Sequence, residues 1–138
     1  MPARGVAEKQ LGMVPGQAEL GADASVSSAT MSTLLSLSVN APAACVARVE
    51  APIAVIASVL NLTATLQIAI DGAVVRSSQK SVSNALADEI GGLIWQGPMS
   101  AGSHTIALRW GASLGTMSCN AASAAASQHA ALYVTQVG

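Results

Sequence analysis

The sequence predicts an all-β chain: an antiparallel β-sandwich or jelly roll preceded by an extended N-terminal arm. Three observations carry that prediction. Apolar residues recur at every second position, as in Leu35, Leu37 and Val39 or in Ile106, Leu108 and Trp110. A period of two belongs to strands, whose successive side chains point to opposite faces. An Asp71-Gly72 pair stands between LQIAI and AVV, and such a pair satisfies the positive φ angles of a two-residue hairpin turn. Turn residues also break the chain at short intervals, with no sustained helical period between them.

Residues 1–30 differ from the remainder and are assigned to the arm, leaving 31–138 for the sandwich. They hold five of the 13 charged residues, four glycines and two prolines, with little apolar periodicity. A short helical turn fits residues 6–11, but nothing caps or extends it. One reading is an arm that orders along a neighbouring subunit, with Arg4, Lys9, Leu11, Met13 and Val14 as its candidate contacts; the other is a disordered tail. On the arm reading, removing residues 1–25 leaves the β-domain folded and abolishes attachment to a larger assembly.

Strands are expected over 34–39, 45–50 and 53–70, the last as two strands or as one bent element. Arg48 and Glu50 share a side with Val46. After the Asp71-Gly72 turn, residues 77–84 read as a loop or a polar edge strand, and 85–90 as a brief helical turn. Gly91-Gly92 opens the strand LIWQ and Gly97-Pro98 closes it. The most regular strand is 104–110, with Thr105, Ala107 and Arg109 on the face opposite Ile106, Leu108 and Trp110. Residues 112–118 are expected to pair with it. The Ala/Ser tract 120–127 suits a helix or a close-packed loop, and 130–137 forms a last strand with Leu132 and Val134 inward.

Composition narrows the function. The 138 residues suit one domain. Charged residues make up 9% of the chain and hydrophobic ones 51%, whereas an ordinary soluble domain carries roughly 25% charged residues. Its surface must therefore be built of Ser, Thr, Ala, Gly, Asn and Gln, or be covered by other protein. A subunit packed against partners satisfies both. The net charge is −1, the basic residues are scattered, and two Trp, one Tyr and no Phe are available for base stacking; no nucleic-acid partner is expected. Residues 51–70 carry no charge, but Pro52 and the shared parity of Leu60, Leu62, Leu66, Ile68 and Ile70 fit strands better than a membrane helix. No membrane association is expected, and residues 1–10 lead into no apolar stretch of a secretory signal.

No catalytic constellation stands out, and the chain is expected to be non-enzymatic with no cofactor. Ser103-His104 is the one adjacent nucleophile-base pair, and strand neighbours diverge. Asp88-Glu89 reads as a solvated loop; as a weak calcium site it would offer only two side-chain ligands. The glycines at 12–21 lack the Lys-Ser/Thr of a phosphate loop. Asn61-Leu62-Thr63 fits the glycosylation pattern, which matters only for a secreted chain. Cys45 and Cys119 are read as buried small hydrophobes or as a disulfide, and no metal ligand spacing joins them to His104 or His129. Arg109, mid-strand on an outward face, is either solvated or paired across subunits with a carboxylate such as Glu50 or Asp71.

The run Pro98-Met-Ser-Ala-Gly-Ser-His-Thr-Ile-Ala-Leu-Arg-Trp110, the short segment ending in Gly115-Thr116, the terminal ALYVTQV and the Ile70-Asp71-Gly72 turn together resemble small jelly-roll proteins of tailed-phage virions. The resemblance covers roughly residues 60–138 and is one of strands and turns. It implies a virion component assembled in the host cytoplasm: a head decoration (cement) protein packed on the major capsid protein or another virion protein. A tail or fibre subunit with a receptor- or glycan-binding role is the alternative. It further implies a homotrimer attached through its N-terminal segment.

Overall fold

The computed structural model describes residues 12–59, 61–82, 87–120 and 129–138. In chain order the strands are β1 (Gly16–Glu19), β2 (Ala24–Val26), β3 (Ser32–Ala41), β4 (Cys45–Ala57) and β5 (Leu62–Ile70). They continue with β6 (Ala73–Val82), β7 (Ala87–Met99), β8 (Gly102–Ala112), β9 (Met117–Cys119) and β10 (Ala131–Gln136). All ladders are antiparallel, and two sheets pack face to face as a sandwich. The second sheet runs β3-β8-β5-β6. The first is built on β4, which pairs with β7 along one edge and with β10 and then β9 along the other; β1 extends β10 and β2 extends β9.

Three of these ladders are nested. β5 pairs with β6 across the Asp71-Gly72 turn, β4 pairs with β7 outside them, and β3 pairs with β8 outside both. A long antiparallel hairpin wrapped over two sheets in this way is the jelly-roll arrangement. The core lies between the sheets, and the period-two pattern names its members. Leu62, Leu66 and Ile68 face Ile106, Leu108 and Trp110 along the second sheet, and Val49, Val55, Leu132 and Val134 come from the first, all 2% exposed or less.

The turn is as the sequence predicts. Asp71 has φ 52° and Gly72 φ 86°, the left-handed pair of a type I′ hairpin. A Cβ at Gly72 would meet nothing within 4 Å, so any penalty there comes from the backbone alone. Gly72→Val should cost about 2 kcal/mol and lower the thermal midpoint by roughly 5–8 °C, because a β-branched residue resists positive φ. An unchanged midpoint in a thermal melt would refute this assignment of the turn.

Several expectations are corrected. Within the segment assigned to the arm, Gly16–Glu19 and Ala24–Val26 are strands of the first sheet, and Met13 and Leu20 are buried at 6% and 7% exposure. Gly16 is needed here: a Cβ would come within 2.8 Å of Leu37 and of Val39 in the opposite sheet. Of the candidate arm contacts, Met13 belongs to the core, Val14 is exposed, and Arg4, Lys9 and Leu11 lie outside the described residues.

Residues 45–50 and 53–57 form a single strand through Pro52, which is tolerated beside a register shift against β7 at Ile53/Ala54. Residues 62–70 are a separate strand of the other sheet, reached through Asn61 with φ 62°. Of the two readings for 77–84, the polar edge strand holds as far as Val82. The helical turn expected over 85–90 is overridden: Ala87 onward is strand, held by its ladder with β4. Residues 117–119 pair with β2 and β4 rather than with β8. The Ala/Ser tract lies, from residue 121, outside the described residues. Among the described residues, no helix is long and apolar enough to cross a membrane.

Candidate functional site

Arg109 has the place that its parity predicts. It lies on the outer face of the second sheet, between Thr33 of β3 and Gln67 of β5. Ladder partners share a face, so this outer face can be read strand by strand. From β3 come Thr33, Ser36 and Ser38; from β8, Thr105, Ala107 and Arg109. β5 adds Thr63, Thr65, Gln67 and Ala69, and β6 adds Val74, Ser77, Gln79 and Ser81. Across these rows Arg109 is the one charged side chain. The outer face of the first sheet is different: there Arg48 pairs with Glu50 at 2.7 Å, in the ladder row of Tyr133 and Ile94.

An open groove of about 490 Å³ crosses the second face, lined by Thr33, Ser36, Ala69, Gly72, Thr105, Ala107 and Arg109. Its shape follows from residue size. Ala69 and Ala107 are ladder partners and leave the middle low, Arg109 walls one end, and the Asp71-Gly72 turn with Thr105 walls the other. Four residues of extended strand separate the two ends, about 13 Å. Arg109 meets no carboxylate among the described residues. Of its two candidate partners, Glu50 is on the opposite sheet and already paired, whereas Asp71 stands beside the far end of the groove, in the turn whose Gly72 lines it.

A polar clamp fixes that far end. The Asp71 Oδ2 is 2.6 Å from His104 Nδ1, and its Oδ1 accepts the Thr105 backbone N–H at 2.9 Å. The other ring nitrogen of His104 is 2.7 Å from the Ser100 carbonyl oxygen. An imidazole facing an acceptor at each nitrogen can satisfy both only by donating twice, that is, as the imidazolium. The hydrogen bond to Asp71 and then that to Ser100 hold the His104 pKa above its ordinary 6.5. The bonds from His104 and then from Thr105 hold Asp71 below 3.8. The His104 side chain is 10% exposed and that of Asp71 51%; the clamp lies at the rim, with its carboxylate half in solvent.

The pH dependence follows from these directions. Stability from the raised His104 pKa is complete below its unfolded value of about 6.5 and is lost as pH rises through the folded value. Stability from the depressed Asp71 pKa is present above about 3.8 and is lost as pH falls through the folded value. In His104→Ala, the drop in thermal midpoint between about pH 6 and about pH 9 should therefore be smaller than in the parent chain. Equal drops in the two proteins would show that the clamp does not titrate with folding.

The remaining sequence candidates are not brought together. Cys45 and Cys119 are both free thiols. Cys119 bonds the Ala54 carbonyl, nine residues along β4 from Cys45, about 30 Å in extended strand, so the disulfide reading is overturned. Burial pushes the Cys119 thiol up to about 11, which suits the small-hydrophobe reading. His129 lies before β10, its ring facing the Asn120 carbonyl at 3.4 Å and its own carbonyl accepting the Ala54 N–H. The backbone at Asp88 and Glu89 is strand, paired with Val55 and Ala54, rather than loop. Among the described residues no group of three His, Cys, Asp or Glu gathers. The clamp itself went unpredicted: Asp71 and His104 are far apart in sequence, and only the β5–β8 ladder joins them.

The fold and face define a structural class, a jelly-roll β-sandwich with one outer face almost free of charge. Comparison with protein-family models and with curated proteins finds no match. Among solved structures, dimeric latent PorU from Porphyromonas gingivalis is similar at a TM-score of 0.56 and 13% identity, over 91% of this chain and 13% of that one. The infectious bursal disease virus Gx strain structure is similar at a TM-score of 0.46 and 15% identity, over 89% of this chain and 32% of that one. The VP2 subviral particle of infectious bursal disease virus gives 0.47 and 13%, over 91% and 37%. The chain thus spans between about an eighth and just over a third of these three chains, and the likeness, which to the viral chains is distant, is one of fold.

Proposed function

We propose that this chain is a non-enzymatic structural subunit of a virion, a head decoration protein that stabilises the shell by packing on the major capsid protein. The observation that carries the reading is the outer face of the second sheet. The solvent face of an antiparallel sheet ordinarily carries mixed charges that keep copies apart. Here hydroxyl, amide and methyl groups cover four strands around one Arg. Such a face costs little to desolvate where its hydroxyls find partners, and loses little side-chain entropy on contact. Low charge along the whole chain and the sequence resemblance to phage-virion jelly rolls point the same way.

The test is sedimentation. Purified protein is mixed with particles assembled without it, from cells carrying the same genome, and the pellet is quantified. Saturable binding at a fixed number of copies per particle supports the reading. Pelleting no greater than that of an unrelated sandwich protein overturns it.

A further inference from the structure

The groove has the form of a self-complementary contact. The charges at its two ends are opposite in sign: Arg109 lines one, and beside the other, next to the lining Gly72, stands Asp71, half-exposed and with lone pairs left after the bonds from His104 and Thr105. Its middle is the Ala69–Ala107 pair. We propose that a second copy of this chain docks on the face, related by a twofold axis through the alanine floor, so that each Arg109 meets the Asp71 of the other copy. An isologous contact needs one patch that fits itself after rotation, and a cation and a carboxylate on either side of a low centre meet that need.

The size of the face agrees. Four strands about 4.8 Å apart and eight residues of about 3.4 Å give roughly 500 Å² per copy, close to the lower bound of about 1,000 Å² in total for a specific interface. Small side chains let the two sheets approach more closely than the usual distance of about 10 Å, which brings a guanidinium within reach of the opposite turn. The edge strand β6 borders the contact, opposite β3 of the other copy. Its Arg76 and Lys80 align with the inward-facing residues Ile68 and Ala64, a placement that discourages edge-to-edge pairing as a rival mode. The contact is twofold, in place of the threefold one that the sequence resemblance implies. It rests on the reading of the second face as a packing surface and assigns that face to a second copy, so that the shell is met by another surface of the dimer.

Light scattering on the full chain over a range of concentrations tests it, with the expected mass at twice 13.7 kDa. Arg109→Glu places two carboxylates together at each end, and Ala107→Arg places two cations at the axis. Each should weaken dimerisation at least about tenfold, through like-charge contact and lost fit, with an unchanged circular dichroism spectrum. Arg48→Ala, on the other sheet, should leave the mass unaltered. A monomer at every concentration, a mass of three chains, or a dimer indifferent to both variants overturns the twofold contact. Particle binding separates the two proposals. A monomer that still pellets with shells sinks the dimer and keeps the virion role, whereas a dimer that never pellets does the reverse.

Discussion

Trp110→Ala should lower the thermal midpoint by roughly 10–20 °C, corresponding to a loss of about 3–5 kcal/mol. Trp110 is 2% exposed and is the bulkiest of the fully buried side chains. Its neighbours across the sheet are Leu66 and Ser32, and the rest of the described core is Val, Leu, Ile, Met, Ala and one Cys, held by two rigid ladders. Such surroundings cannot collapse into the space an indole leaves, so the cavity term adds to the lost transfer energy. The chain has no Phe and only one other Trp, so no large ring stands ready to move in. A thermal melt followed by circular dichroism reads the effect. A shift of only a degree or two would mean that the core around Trp110 is far more compliant than its packing implies.

The second large effect concerns the N-terminal segment and reverses a sequence-based expectation. Deleting residues 1–25 removes β1, two of the three residues of β2, and the buried Met13 and Leu20. Two core side chains contribute about 1.5–3 kcal/mol each, and the β1–β10 ladder is lost with them. Against a net stability of about 5–15 kcal/mol for a domain, that loss should leave no cooperative unfolding transition. Deleting residues 1–11 leaves β1, β2, Met13 and Leu20 in the chain. If the shorter chain from residue 26 melts cooperatively at the parent temperature, β1 and Leu20 contribute nothing and the segment is an arm after all.

What was legible in the sequence follows from how local each signal is. Alternation of Leu35 and Val39, or of Ile106, Leu108 and Trp110, is written in consecutive residues, and so is the Asp71-Gly72 turn. Parity alone placed Arg109 on an outer face. The strand GQAE escaped because its polar side faces solvent and its inward positions are a glycine and an alanine, too small to mark a period. The strand from Ala87 escaped because local preference yields there to a ladder with β4, some thirty residues earlier. Residues 117–119 cross to the other sheet through a turn containing Gly115 with φ 62°, and nothing in the three residues MSC says which sheet receives them. The site divides the same way. Arg109 and two carboxylates, Glu50 and Asp71, could be named in advance, but not which of the two shares its sheet, because that is decided by strand register.

The nested ladders also impose a schedule. With the chain open, bringing Ser32 to Trp110 closes a loop of nearly eighty residues, an entropic cost met before any contact rewards it. Once β5 and β6 have met across the two-residue turn, β4 and β7 are already neighbours, and their pairing delivers β3 to β8 in turn. Each ladder thus shortens the loop that the next must close. Assembly is expected to begin at Asp71-Gly72 and to proceed outward, with β1, β2, β9 and β10 added last around β4. The left-handed glycine at the hairpin is then more than a feature of the finished sandwich. It sets the clock, and a residue that resists that conformation should slow refolding more than it hastens unfolding.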